Sequence, residues 1–271
     1  MIIDCHVHCG ELDDSAPQAY EDIAPRFDEA GVDAAVCFSP VMEIYDRYNP
    51  DFRDDEYWRT FVFIEGVQTF ESVQSSEQAF QAGYAFGEFQ NLLVDMPGGR
   101  LNETIPDFHD TRKRFAALQK AIENDHYNRA QNAHADIKFA LEHEPLVDVI
   151  LDAMAKGKIP ERITHNDTKF NNVMLDTLTG EAKCVVDLDT VMPGCALYDF
   201  GDMVRTTTSP TLEDEKDLSK VKMHMPIFKQ LARGYFSAAG KFLTRAEKAH
   251  LAFSGKLITF EIGIRFPTHS S

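Results

Sequence analysis

Between Ile163 and Leu175 the chain carries His165, Asp167, Lys169 and Asn172, and a strand-like run Val185-Val186-Asp187 follows after a short turn. These residue types at this spacing suit phosphoryl transfer, which needs one carboxylate to receive a hydroxyl proton, and an amide and a second carboxylate to hold magnesium. Asn172 to Leu175 and Lys183 to Asp187 read as two short strands around the turn-like Thr177-Leu178-Thr179-Gly180-Glu181. A hairpin centred between Thr179 and Gly180 pairs residue 172 with residue 187, with paired side chains about 5 Å apart, so two oxygen ligands meet at one mouth. Magnesium favours oxygen and takes one or two such ligands from protein. Asp167, on the loop just ahead, is then placed to face a substrate hydroxyl as base and orienter. Lys169 can reach a γ-phosphate and neutralise developing charge. His165 is expected to brace the loop through hydrogen bonds.

The elements that must position these groups are mostly helical. A Ser75-x-x-Gln78 capping box opens an amphipathic helix with Phe80, Gly83, Phe86 and Leu93 on its apolar face. Further helices are expected over Thr111 to Glu123, with Phe115, Leu118 and Ile122 inward, and over Ala135 to Met154. Phe228, Leu231, Ala232 and Tyr235 mark another, and a Thr244-x-x-Glu247 box caps the last, which runs through Leu251, Leu257 and Ile264. Ahead of these, Met1 to Asp4 reads as a strand, Tyr20 to Ala30 as a helix closed by Gly31, and Val32 to Phe38 as a second strand. Thr60 to Ile64 reads as a strand bent at Glu65-Gly66. The reading is therefore α+β: a βαβ fragment over 1–58, then a mainly helical domain with a small β-hairpin over 59–271.

Composition narrows the function classes. With 271 residues and 44% hydrophobic content the chain can bury a sizeable core. A net charge of −17 repels phosphates, so neither nucleic acid nor an anionic membrane is an expected partner. A phosphorylated ligand then needs local help from a metal ion. Five scattered cysteines form no disulfide framework and favour a reducing cytoplasm. No signal peptide and no membrane span is read from the sequence.

The run Thr164-His165-Asn166-Asp167-Thr168-Lys169-Phe170-Asn171-Asn172, with Val185-Val186-Asp187-Leu188-Asp189, resembles the catalytic and metal-binding segments of the aminoglycoside phosphotransferase and choline kinase superfamily. Ile105 to Thr111, Tyr198 to Asp202 and Thr259 to Phe266 are similar to its N-acetylhexosamine kinase branch, and the resemblance covers roughly residues 59–266. It implies an ATP- and Mg²⁺-dependent kinase acting on an amino sugar, with Asp167 as base and Asn172 and Asp187 on magnesium. It also implies an adenine hinge at Phe63, Ile64 and Glu65, and sugar contacts at Arg265 and His109. Asp199-Phe200-Gly201 spells the protein-kinase metal tripeptide but lies twelve residues beyond Asp187. Asp199 and Asp202 are accordingly read as structural acids bracing the catalytic loop.

Kinases of this kind close the nucleotide site with a lobe that supplies a glycine loop and a phosphate-gripping lysine. Residues 1–58 hold two glycines, Gly10 and Gly31, and no lysine occurs before Lys113. The expectation is that this lobe is missing and catalysis impaired, that the uncovered surface invites self-association, and that the tail after Arg265 is short. Ile3-Asp4-Cys5-His6-Val7-His8 instead resembles the opening of a metal-dependent amidohydrolase, over roughly residues 1–55, in which His6 and His8 ligate a metal. The other ligands of that family come from later strands of a barrel of about 250 residues. Two histidines alone are too few to fix a catalytic zinc, so zinc is not expected. Three readings follow: an amino-sugar kinase, a catalytically inactive fusion product that at most binds, and a hydrolase fragment.

Overall fold

The apolar runs at the start of the chain pair as strands. In this computed structural model, which describes residues 3–8, 34–38, 64–125, 128–211 and 215–269, β1 (Ile3–His8) lies parallel to β2 (Ala34–Phe38), with Ile3 opposite Ala34 and His8 opposite Phe38. The first strand runs on through both histidines rather than ending at Asp4. The expected helix over Tyr20 to Ala30, the seam near residue 58 and the stretch Thr60 to Phe63 lie outside the described residues. The chain divides into two units, Met1–Glu65 and Gly66–Ser271, and each is described by itself.

The second unit is α+β, with seven α-helices and small antiparallel sheets among the described residues. Helix α1 (Ser76–Leu93) opens at the expected box: Ser75 Oγ accepts from Gln78 N at 3.1 Å, and Gln78 Oε1 accepts from Gln74 N at 2.8 Å. α2 (Thr111–Asn124) buries Phe115 and Leu118 and is capped by Asp110, which accepts from Lys113 N. The single helix expected over Ala135 to Met154 is instead two, α3 (His134–Glu142) and α4 (Asp148–Ala155), separated by a short 3₁₀ turn, Glu144–Leu146. Pro145 explains the break, since it has no N–H to continue the ladder and its ring clashes with the preceding turn.

After α4 come β4 (Arg162–Thr164), a 3₁₀ turn Phe170–Asn172, β5 (Val173–Asp176), β6 (Ala182–Val185), a second 3₁₀ turn Leu188–Thr190, and β7 (Met192–Gly194). β4 pairs antiparallel with β7, β5 with β6, and the two-residue β3 (Val67–Gln68) with the other edge of β5. The hairpin forms where expected but in another register. Val173 faces Val185 and Met174 faces Cys184, and a shift then places Leu175 opposite Ala182, leaving Lys183 as the extra residue. Asp176 is the physical reason: its Oδ1 accepts from Leu178 N and Thr179 N, and its backbone closes the turn to Gly180 and Glu181. The residue opposite Asn172 is therefore Val186, whose N–H donates to the Asn172 carbonyl at 2.9 Å, and not Asp187.

Three helices complete the unit: α5 (Ala196–Thr207), α6 (Met225–Ala239) and α7 (Arg245–His269). α1 lies along α6 so closely that a Cβ on Gly83 would sit 2.1 Å from the Leu231 carbonyl oxygen, and one on Gly234 would sit 1.9 Å from that of Phe80. Around this crossing Phe86, Leu231, Tyr235, Phe200, Met203 and Leu257 form the larger core, while Phe115, Leu118, Val147, Phe260 and Ile264 form a smaller one. Burial of each such side chain contributes about 1.5–3 kcal/mol. α7 enters both cores, so it fixes α2 relative to α5. No helix among the described residues is long and apolar enough to cross a membrane.

Candidate phosphotransfer site

β4 delivers the chain to the loop His165 to Lys169, and its own position is set by α7. Arg162 forks onto Glu247 at 2.6 and 3.0 Å, donates to the Phe242 carbonyl and lies 4.8 Å over the Phe242 ring. Glu247 is fully buried and also closes the α7 capping box, accepting from Thr244 N at 2.7 Å. Burial pushes its carboxyl up, but Arg162 and the Thr244 donors more than offset this and hold it below the usual carboxylate range.

Two carboxylates on the first turns of α5 grip the loop backbone. Asp199 accepts from His165 N at 3.0 Å, Asn166 N at 2.7 Å and the Gln90 amide at 2.7 Å. Asp202 accepts from Thr168 N at 2.9 Å with one oxygen and holds Arg205 at 2.8 Å with the other. Asp199 is fully buried and Asp202 nearly so. Burial raises the Asp199 carboxyl, and the three N–H donors counter that rise. Gln90 is held in turn by the Tyr235 hydroxyl at 2.7 Å, so one hydrogen-bonded chain runs from α6 through α1 and α5 to the loop.

The loop's own residues complete the frame. His165 Nε2 lies 2.9 Å from the Val186 carbonyl, and Asp167 N donates to His165 Nδ1 at 3.3 Å. One acceptor and one donor suit a neutral ring with its proton on Nε2. Phe86 and Phe89 meet this ring edge-on, at 5.3 and 5.5 Å between centroids. Asn166 takes the left-handed conformation, φ 66°, which Asn adopts more readily than most residues. Its amide donates to the Thr190 carbonyl at 2.9 Å, and Thr190 Oγ1 donates back to the His165 carbonyl at 2.6 Å.

On this frame stand the chemistry-bearing groups. Asn172 Nδ2 donates to the Asp167 carbonyl at 2.9 Å and lies 3.4 Å from Asp167 Oδ2. That bond engages the amide nitrogen within the loop. Lys169 Nζ lies 3.3 Å from Asp167 Oδ1. Asp187 follows Val186 directly, has a left-handed backbone (φ 62°, ψ 64°) and an exposed side chain, and starts the 3₁₀ turn Leu188–Thr190. Asp167, Lys169 and Asn172 thus come together, and Asp187 stands one residue past the backbone partner of Asn172. Among the described residues no three His, Cys, Asp or Glu side chains gather as a metal-holding group. An amide oxygen beside carboxylates is nonetheless a donor set that suits a hard cation sharing its shell with phosphate and water.

The remaining expected residues lie elsewhere. Arg265 and His109 converge on Glu261 of α7. His109 Nδ1 is 3.0 Å from Glu261 Oε2 and its Nε2 is 3.3 Å from the Asn166 carbonyl, while Arg265 pairs with Glu261 Oε1 and the Phe108 carbonyl. Burial pushes the Glu261 carboxyl up, yet His109 and Arg265 together hold it below the usual range. Arg265 Nε and the Tyr198 hydroxyl are buried and have no hydrogen-bond partner among the described residues. Of the hinge residues, Phe63 lies outside the described residues, Ile64 is half-buried and Glu65 is exposed. His6 and His8 fall on β1 in the first unit. Sequence reasoning missed Gln90, Asn166 and Glu261. A glutamine on the apolar face of α1 and a glutamate inside the apolar run Thr259 to Phe266 were the available signals.

A family model described as the phosphotransferase enzyme family, APH, matches residues 12–223, a span that includes most of the segment resembling an amidohydrolase opening. Among solved structures, a microcompartment-associated aminopropanol kinase is 17% identical with a TM-score of 0.46, over 78% of this chain and 60% of that one. An aminoglycoside phosphotransferase from Streptomyces rimosus is 15% identical with a TM-score of 0.40, over 74% and 66%. A choline kinase from Cryptosporidium parvum is 14% identical with a TM-score of 0.41, over 76% and 61%. The chain thus spans less than two thirds of the length of each of these structures.

Proposed function

We propose, from the premise that this chain belongs to the phosphotransferase enzyme family, that it acts in transfer of the γ-phosphoryl group of Mg-ATP to a hydroxyl of an amino sugar of the N-acetylhexosamine type. The observation that carries this reading is the meeting of Asp167 and Asn172 at 2.9 and 3.4 Å, with Asp187 next to the residue bonded to Asn172. Asp167 accepts the proton of the attacking hydroxyl and orients it. Asn172 and Asp187 would hold magnesium, which supplies charge neutralisation at the β- and γ-phosphate oxygens. Lys169 holds the Asp167 carboxylate in place and brings positive charge beside the transferring group. Ile64 and Glu65, with Phe63, are the proposed adenine contact. Arg265 is the proposed sugar contact, because its buried Nε has no hydrogen-bond partner among the described residues and a sugar hydroxyl can accept from such a donor. His109 stands behind it with both ring nitrogens already engaged.

The test is a nucleotide-coupled assay with Mg-ATP against N-acetylhexosamines, aminoglycosides, choline and amino alcohols. Turnover with an N-acetylhexosamine that is lost in Asp167→Asn supports the reading; turnover only with a cationic alcohol transfers it to another acceptor. A second reading, a binding module without turnover, is favoured by one fact: residues 1–112 contain no lysine. Sugar or nucleotide binding by calorimetry without phosphate release is the result that selects it.

A further inference from the structure

The two buried histidines of the site differ in what they face. His165 meets one acceptor and one donor, so a neutral ring satisfies both nitrogens. His109 meets two acceptors: a Glu261 carboxylate oxygen at 3.0 Å and the Asn166 carbonyl oxygen at 3.3 Å. A neutral ring can donate to only one of them and sets a nitrogen lone pair against the oxygen of the other. Only a ring protonated on both nitrogens satisfies the whole arrangement.

We infer that Glu261 and His109 are positioning residues for the phosphotransfer loop, with His109 as an imidazolium that ties α7 to the carbonyl of Asn166, immediately ahead of Asp167. The inference rests on the phosphotransfer reading of that loop. Asp199 already holds the N–H groups of His165 and Asn166 from the α5 side, so the Asn166 carbonyl is the part of this left-handed residue that those bonds leave unfixed. His109 Nε2 lies 3.3 Å from it. Glu261 makes the charge tolerable in a site with almost no solvent access, since His109 is 8% exposed and Glu261 0%.

The other groups around the ring are accounted for as follows. On α7, Arg265 pairs with the second oxygen of Glu261 and lies 5.0 Å over the Phe108 ring. On α2, Arg114 donates to the Phe108 carbonyl at 3.0 Å, and Asp110 caps that helix. On α5, the Tyr198 ring lies 5.3 Å from His109, and burial pushes its hydroxyl well above the usual phenol range, so it stays neutral. Glu261 is thus the acid bonded to the ring, and Arg265 is the cation paired with the same carboxylate.

The experiment is a side-chain ¹⁵N spectrum of the histidine-labelled full chain from about pH 5 to about pH 8, with amide exchange of residues 165–169 followed over the same range. The expected result is that both His109 ring nitrogens show the protonated pattern near neutral pH, that Glu261→Gln abolishes it, and that loop exchange rises about tenfold when the proton leaves, the worth of one hydrogen bond. A neutral His109 ring near pH 7, or loop exchange indifferent to its titration, overturns the inference. Should Glu261→Gln fail to fold, the wild-type titration decides alone by the same two criteria. Neither readout needs turnover, so an inactive chain counts against the proposed reaction and leaves this inference standing. Where turnover is measurable, Glu261→Gln lowers kcat about tenfold with little change in KM for nucleotide, and Glu261→Asp restores part of it.

Discussion

The two sides of the phosphotransfer loop are built differently. On the α5 side, fully or nearly buried Asp199 and Asp202 bond backbone N–H groups and hold the shape of the loop. On the hairpin side, Asp167 and Lys169 are half-buried, Asp187 is exposed, and the chemistry-bearing groups meet one another through one amide and one ion pair. Carboxylates of one residue type thus divide the labour according to solvent access. Those kept from water specify a backbone, and those left in water remain available to a proton or a cation.

The largest expected effect breaks the buried side. Asp199→Ala leaves the N–H groups of His165 and Asn166 and the Gln90 amide without an acceptor, and should cost about 4 kcal/mol by denaturant unfolding. Next, Gly83→Ala forces a Cβ against the Leu231 carbonyl and separates α1 from α6, which should cost about 1–3 kcal/mol in the same assay. Glu247→Gln weakens the anchor of β4 by about 2 kcal/mol at neutral pH. The sign of its pH dependence follows from its carboxyl, held below the ordinary value of 4.5. The stability from that depression is present above pH 4.5 and is lost as pH falls through the folded-state value, so the wild type should lose more stability on acidification than Glu247→Gln. The smallest effect on stability is on the exposed side: Asp167→Asn should change it by less than about 0.5 kcal/mol while lowering turnover about a hundredfold or more.

Local chemistry was legible in the sequence where it is complete within a few residues. The Ser75 and Thr244 boxes form, and Phe115, Leu118, Leu231 and Tyr235 are buried as their spacing requires. The break at Pro145 was not read, because the apolar spacing across it suggests one helix. The hairpin register was not legible from its ends, because Asp176 tightens the turn and Lys183 is left as an extra residue. Least legible were the long links. Gln90 and Asp199 are 109 residues apart, and His109 and Glu261 are 152 apart. Gln90 and Glu261 look alone like ordinary polar residues on mostly apolar helix faces, and only the packing of the helices brings them to Asp199 and His109.

The most direct test of the account is thermal unfolding with and without Mg-ATP in the wild type and in Asp187→Ala. With nucleotide at a hundred times its Kd, the wild type should gain roughly 2.7 kcal/mol, Asp187→Ala should gain little, and a metal-free control should gain little in either. An equal gain in Asp187→Ala, or none in the wild type, would contradict the placement of a magnesium-nucleotide site at Asp167, Asn172 and Asp187.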